Sequence, residues 1–173
     1  MDKDGVMIKD KGTYSFCQKC PSSGNCCSRV KRNGSVDAPV VFDSDMEALS
    51  LNSDDYSEVK HYGNYKARAI HTNGDGCYFF QGGKCTVYDR RPIDCRLFPL
   101  DIIEKEGRLI WIAYKNLCPV EFNPEDYLED AKSLLSELGD NVFLYANLIL
   151  PGMDKEPYIE LEEVELQPSL PDH

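Results

Sequence analysis

The sequence has no long hydrophobic run. Its longest apolar stretch, Val142 to Leu150, is interrupted by Asn147 and falls far short of the roughly 20 residues a helix needs to span a bilayer. Residues 1–16, MDKDGVMIKDKGTYSF, lack the apolar centre and small-residue cleavage site of a secretory signal. The expected location is therefore cytoplasmic, where thiols stay reduced and stable disulfides are rare. Positive charge is also scarce. Lys and Arg number 19 against 30 Asp and Glu, a net charge of −11. Phosphate backbones and anionic lipid surfaces both select a basic face, so neither nucleic acid nor membrane is an expected partner. A protein partner is left open, and the oligomeric state is not readable.

Histidine and catalytic signatures are lacking too. Of three histidines, His61 and His71 fall in no C-x-x-H or H-x3-5-H spacing and read as surface or hydrogen-bonded side chains. His173 is terminal. There is no glycine-rich nucleotide loop, no G-x-S-x-G and no H-E-x-x-H, so hydrolase, kinase and protease readings have no footing. The carboxylates are many but scattered, the pattern of solvated charge.

What the chain does have is sulfur. Of its eight cysteines, four form Cys17-Gln-Lys-Cys20 and, five residues on, Cys26-Cys27. Three more, Cys77, Cys85 and Cys95, lie in CYFFQGGKCTVYDRRPIDCRLFP, and Cys118 stands alone before a proline. Cysteine used as a small apolar core residue does not bunch in this way. Clustered sulfur serves a thiolate-bound metal, a set of disulfides or redox exchange. In a reducing compartment a metal is the leading reading, either Zn²⁺ in a closed tetrahedron or an iron–sulfur cluster. All eight cysteines are candidate ligands. Strain opposes both Cys26 and Cys27 binding one tetrahedral ion. Cys118 is the weakest candidate because it is isolated. The C-x2-C-x2-C-x3-C-P spacing of bacterial ferredoxins is absent. Arg90, Arg91 and Arg96 around Cys95, with Lys19 and Arg29 at the first cluster, are candidate donors to thiolate charge, Arg96 foremost.

The rest of the chain predicts an α+β fold. It reads as a single cysteine-rich domain over residues 1–151, covered by C-terminal helices, and an acidic, partly disordered tail over 152–173. Residues 17–36 form a loop that needs sulfur ligation to be ordered. A helix starts near Ser44, with Ser44 and Glu47 as a capping box. Residues 52–76 give no clear element beyond turns at Gly63-Asn64 and Asn73 to Gly76. Cys77 to Phe80 and Lys84 to Tyr88 read as a hairpin. A two-residue loop pairs Phe80 with Cys85 and sends Cys77 to the opposite face. A three-residue loop, Gln81 to Gly83, pairs Phe79 with Cys85 and keeps both sulfurs on one side, the arrangement a shared site requires. Pro92 and Pro99 bracket a turn or so of helix with Cys95 near its N-terminal end, where the dipole favours thiolate. Leu100 to Glu104 and Arg108 to Tyr114 form a second hairpin. Asn123 and Pro124 open a helix to Leu138 whose Tyr127, Leu128, Ala131, Leu134, Leu135 and Leu138 share one face. A buried helix over 141–149 follows, and Tyr158 to Leu166 docks as a strand before the tail frays.

At these residues the chain resembles the CxxCxxCC family of zinc- or iron-chelating domains. The match is Cys17-x-x-Cys20 with Cys26-Cys27, Gly76-Cys77-x-Phe79, Gly83-x-Cys85-x-Val87-Tyr88 and Arg91-Pro92-x-x-Cys95-Arg96-x-Phe98-Pro99. It covers roughly residues 16–100 and extends less strictly to Cys118. Five residues rather than two separate Cys20 from the cysteine pair, so the first loop is longer than the family's. The resemblance implies metal chelation with a structural or redox role. Flagellin lysine N-methylase carries a similar cysteine domain, which implies a second reading: a methylase-like, protein-modifying enzyme with an iron–sulfur centre. No methyl-donor site is readable in this sequence. A disulfide-stapled interaction module is the third reading.

Overall fold

The computed structural model describes residues 31–166, except for 33–34, 37–38, 63–64, 74–75, 83, 116–117, 119–120 and 149–155. β1 (Lys31–Arg32) and β2 (Ser35–Val36) pair antiparallel. β3 (Val40–Val41) leads into α1 (Asp43–Leu49) and a 3-10 turn at Ser53–Asp55. β4 (Tyr56–Tyr62) and β5 (Tyr65–Ile70) follow, and β3, β5 and β4 form an antiparallel sheet in that order. Two small ladders come next, β6 (Thr72–Asn73) with β7 (Gly76–Cys77), and β8 (Phe80–Gln81) with β9 (Lys84–Cys85). A 3-10 turn at Tyr88–Arg90 precedes α2 (Ile93–Leu97). β10 (Leu100–Lys105), β11 (Arg108–Tyr114) and the late strand β12 (Tyr158–Glu163) build the second three-stranded sheet, with α3 (Glu125–Lys132), α4 (Leu135–Leu138) and α5 (Asn141–Ala146) between them in sequence. The fold is α+β, as expected.

Strand alternation accounts for the core. Along β10 and β11, Leu100, Ile102, Leu109, Trp111 and Ala113 face one side. There they meet Ile93 and Leu97 of α2 and the apolar faces of the helices, chiefly Leu128, Ala131, Leu134, Leu138 and Leu144. Ile110, Ile112 and Tyr114 pack on the other side with Phe98 and Ile103. The predicted β10–β11 hairpin forms, closed by Glu106 and Gly107 with φ of 53° and 75°. Two successive left-handed residues make the twist of a tight hairpin turn. β12 pairs antiparallel with β11, so the acidic segment docks as a strand. Basic neighbours receive its carboxylates: Lys105 binds Glu160, Lys132 binds Glu162 and Arg108 lies 3.6 Å from Glu163.

Three expectations change in detail. The helix after Val41 is capped at Phe42, two residues before the predicted Ser44. Asp45, not Glu47, turns back to accept the Phe42 N–H at 3.1 Å. The helix expected over Pro124 to Leu138 is divided. The Ser133 hydroxyl donates to the Asp130 carbonyl at 2.6 Å and Leu134 N–H to Ala131 O at 3.0 Å, local bonds that compete with the regular helical ladder. Its apolar face survives the break. The stretch 52–76, for which the sequence predicts turns alone, supplies the β4–β5 hairpin. Among the described residues no helix is long and apolar enough to cross a membrane.

Candidate metal centre

Three of the candidate ligands arrive on three separate elements. Cys77 ends β7, Cys85 ends β9 and Cys95 is the central residue of α2. The expected hairpin linking the first two is not regular. β8 and β9 pair Phe80 with Cys85 and Gln81 with Lys84. The connection is thus the two-residue one, with Gly82 at φ 59°, and the three-residue loop is corrected. In a continuous strand this register would send Cys77 to the opposite face. The chain instead bends at Tyr78–Phe79, where Phe79 O accepts both the N–H and the hydroxyl of Thr86 at 2.9 and 3.1 Å. Cys77 belongs to a different ladder, paired with Thr72. The bend separates the two cysteines from the rule of alternating faces.

The thiols of Cys77 and Cys95 are both shifted upward. Burial pushes the Cys77 thiol up, and the Cys85 sulfur pushes in the same direction. Against this, the backbone N–H groups of Phe79 and Phe80 donate to the Cys77 sulfur and favour its thiolate. Burial also pushes Cys95 well up, reinforced by the Asp94 carboxylate and by Cys77 and Cys85, with only Arg91 opposing among the leading influences. The expectation of a dipole-favoured Cys95 thiolate is therefore overturned. Desolvation outweighs a helix of five residues. Cys77, Cys85, Cys95 and Cys118 carry reduced thiols. Among the described residues no three Cys, His, Asp or Glu side chains form a group able to hold a metal ion.

The other candidates fall elsewhere. Cys17, Cys20, Cys26 and Cys27, with Lys19 and Arg29, lie outside the described residues. Cys118 packs against the main core and lines a cavity of about 400 Å³ with Tyr114, Phe122 and Ile159. It is not among the groups that dominate the electrostatics of Cys77 or Cys95. His71 is hydrogen-bonded to the Ser57 hydroxyl at 3.0 Å on the surface, in keeping with its reading. The His61 side chain lies outside the described part. Among the arginines the order changes. Arg96 is committed to Glu137 through both terminal nitrogens, and Arg90 donates to Ala48 O at 3.1 Å. Arg91, which lies 3.8 Å over the Tyr88 ring, is the cation that favours the Cys95 thiolate.

Sequence reasoning missed the carboxylates. Asp45, 7% exposed, accepts both Phe42 N–H and, at 3.0 Å, Ile93 N–H at the start of α2. Asp94 accepts Val40 N–H at 2.9 Å and the Tyr145 hydroxyl at 3.1 Å. Asp101 accepts the Tyr114 hydroxyl at 2.7 Å and its neighbour's N–H, Ile102, at 2.7 Å. These three are not solvated charge, and the reading of scattered surface carboxylates is corrected for them. The available signal was the position of Asp94 between the first residue of a proline-opened turn and a clustered cysteine.

The matched segment decides the family. The model of the CxxCxxCC family, described as a "putative zinc- or iron-chelating domain", matches residues 16–119. The chain belongs to the CxxCxxCC family. Comparison with curated proteins and with solved structures finds no match. Both cysteine groups and Cys118 fall within the matched segment, as do α2 and the β10–β11 hairpin that supports it. The helices α3 to α5 and β12 lie beyond it, and the helical stretch adds Leu128, Ala131, Leu138, Val142 and Leu144 to the core. A metal-binding role follows from the family. The donor type fits it: thiolate sulfur is the ligand a thiophilic ion such as zinc or iron selects.

Proposed function

We propose that the chain holds zinc or an iron–sulfur cluster through Cys77, Cys85 and Cys95, completed by thiolates of the Cys17 to Cys27 segment. The centre is structural or electron-carrying rather than catalytic. What supports this is the family match over residues 16–119, with Cys77, Cys85 and Cys95 carried on β7, β9 and α2 and the Phe79 and Phe80 N–H groups favouring the Cys77 thiolate. Amide donors of this kind stabilise metal-bound thiolate and tune cluster potential. Bound metal would join segments that otherwise share few apolar contacts, which makes metal binding part of folding energy. Cys118 is a spare thiol in this reading, and one of Cys26 and Cys27 is not a ligand. The compartment is a reducing one, since the same thiols oxidised would bind nothing.

The test is anaerobic purification followed by elemental analysis and an absorption spectrum. A brown protein with a broad visible band assigns an iron–sulfur cluster, and a colourless protein with stoichiometric zinc assigns a zinc site. Protein without stoichiometric metal, and with fewer than eight titratable thiols, would transfer the reading to the disulfide-stapled alternative. The methylase-like enzyme remains an analogy of domain type, and no observation here favours it.

A further inference from the structure

In the short helix α2 every neighbour of Cys95 is tied to a remote part of the chain. Ile93 donates its N–H to Asp45 at 3.0 Å. Asp94 takes Val40 N–H at 2.9 Å on one oxygen and the Tyr145 hydroxyl at 3.1 Å on the other. Arg96 pairs with Glu137 through both of its terminal nitrogens, one contact at 3.1 Å. Leu97 and Ile93 are buried in the main core at 0% and 2% exposure. A five-residue helix has too few internal hydrogen bonds to fix its own orientation. Here the orientation comes from outside. Asp45 belongs to the β3–α1 segment and Asp94 binds Val40 of it, Tyr145 comes from α5, and Glu137 from α4.

The arrangement has a direction. The β3–α1 segment, Val40 to Asp45, follows the cysteine-bearing N-terminal region in sequence, and both carboxylates bind α2 to it. The carboxylates accept backbone N–H groups, which cannot turn away to find another partner. This distinguishes them from surface ion pairs, which adjust at little cost. We propose that Asp45 and Asp94 are positioning residues for the metal centre: by joining α2 to the β3–α1 segment, with Tyr145 steadying Asp94, they fix the position of the Cys95 sulfur. The inference rests on the reading of Cys95 as a ligand. It adds that the affinity of the centre is set by residues that never touch the metal. Groups that orient ligands in this way change metal affinity typically by about 10- to 100-fold when removed.

The experiment compares four proteins: wild type, Asp45→Asn, Tyr145→Phe and Gly107→Ala. Asp45→Asn keeps the shape but turns an amide NH₂ toward one of two backbone N–H groups. Tyr145→Phe removes one hydroxyl and spares the fold if Asp45→Asn does not. Gly107→Ala weakens the β10–β11 turn, where an added Cβ meets nothing within 4 Å, and so serves as a control for general destabilisation. Each protein is loaded with zinc, and its release to a chelator is timed. Each is also loaded with cobalt(II), whose thiolate bands report ligand geometry. The expected result is release at least about tenfold faster in Asp45→Asn and several-fold faster in Tyr145→Phe, with altered cobalt bands, while Gly107→Ala behaves as wild type. Unchanged release and unchanged bands in both variants overturn the inference while leaving the metal centre standing. Equal acceleration in Gly107→Ala overturns it as well, since the effect is then one of stability alone. A wild type that takes up neither ion removes the metal reading itself.

Discussion

Asp101 shows what a buried carboxyl does to pH dependence. Burial raises its pKa from 3.8 to about 6, against the opposing hydrogen bonds of Tyr114, Ile102 and Tyr145. The folded chain therefore binds this proton more tightly than the unfolded chain. The stability it contributes is complete below about pH 4 and is lost as pH rises through about 6. Asp94, coupled to it and raised to about 7, extends the same trend upward. Urea unfolding across pH 4 to 7 should show stability falling with pH, and Asp101→Asn should remove the part of the slope between about 4 and 6. Tyr114→Phe deletes the hydroxyl that favours the ionised form and should move that part of the slope upward. An unchanged slope in Asp101→Asn contradicts the assignment. At this scale the cysteines were legible in the sequence and the carboxylates were not. A cysteine announces itself by spacing to its neighbours. Asp94 meets Val40 across 54 residues and Asp45 meets Ile93 across 48, and no local pattern carries such pairs. The ligand role of Cys95 is tested at the same scale. Cys95→Ser replaces a thiolate by a far poorer ligand and should leave substoichiometric metal by elemental analysis. A buried cysteine with no ligand role predicts full occupancy.

Among the elements, local alternation and turn chemistry decided which were readable. Leu100 to Tyr114 alternates through a Glu-Gly turn, and β10 and β11 form as expected. The turn carries a prediction. Gly107 has φ 75° and open space where a Cβ would stand, so Gly107→Ala tests backbone strain free of clash. It should cost about 1–2 kcal/mol in chemical denaturation, the usual cost of a left-handed residue with a Cβ, and shift no metal content. The cysteine hairpin was misread because sequence gives loop length only up to the glycines available. Gly82 and Gly83 suffice for a two-residue turn, and the bend at Tyr78–Phe79 that rescues Cys77 has no strong turn residue to mark it. The break at Ser133 was similarly hidden. Its apolar periodicity continues through Leu134 and Leu138, both at or below 2% exposure, so burial was readable where backbone continuity was not.

For the whole molecule the question is how far the metal supports the fold. The main core draws on Val40 and Phe42, on α2, on both strands of the β10–β11 hairpin and on the three late helices. It needs no metal to account for its burial. The cluster holding Cys77 is much smaller: Val41, Ile70 and Cys77 are its buried members, with Met46, Phe79 and Phe80 at its margin. Regions with few buried apolar contacts open first when a local tie is removed. The sulfur sites thus divide between unequal supports. Cys77 and Cys85 sit on two-residue ladders, whereas Cys95 is anchored by Ile93 and Leu97 in the main core. Removing metal should therefore not loosen residues 76–100 as one block. Hydrogen exchange after chelator treatment should show protection lost first over 76–86, retained longer over 93–97, and nearly unchanged in β10, β11 and α5. If metal loss instead collapses protection in β11 and α5 together with 76–86, the core depends on the metal and the two clusters are one cooperative unit. If protection over 76–86 does not change at all, those cysteines hold no ion that supports the fold.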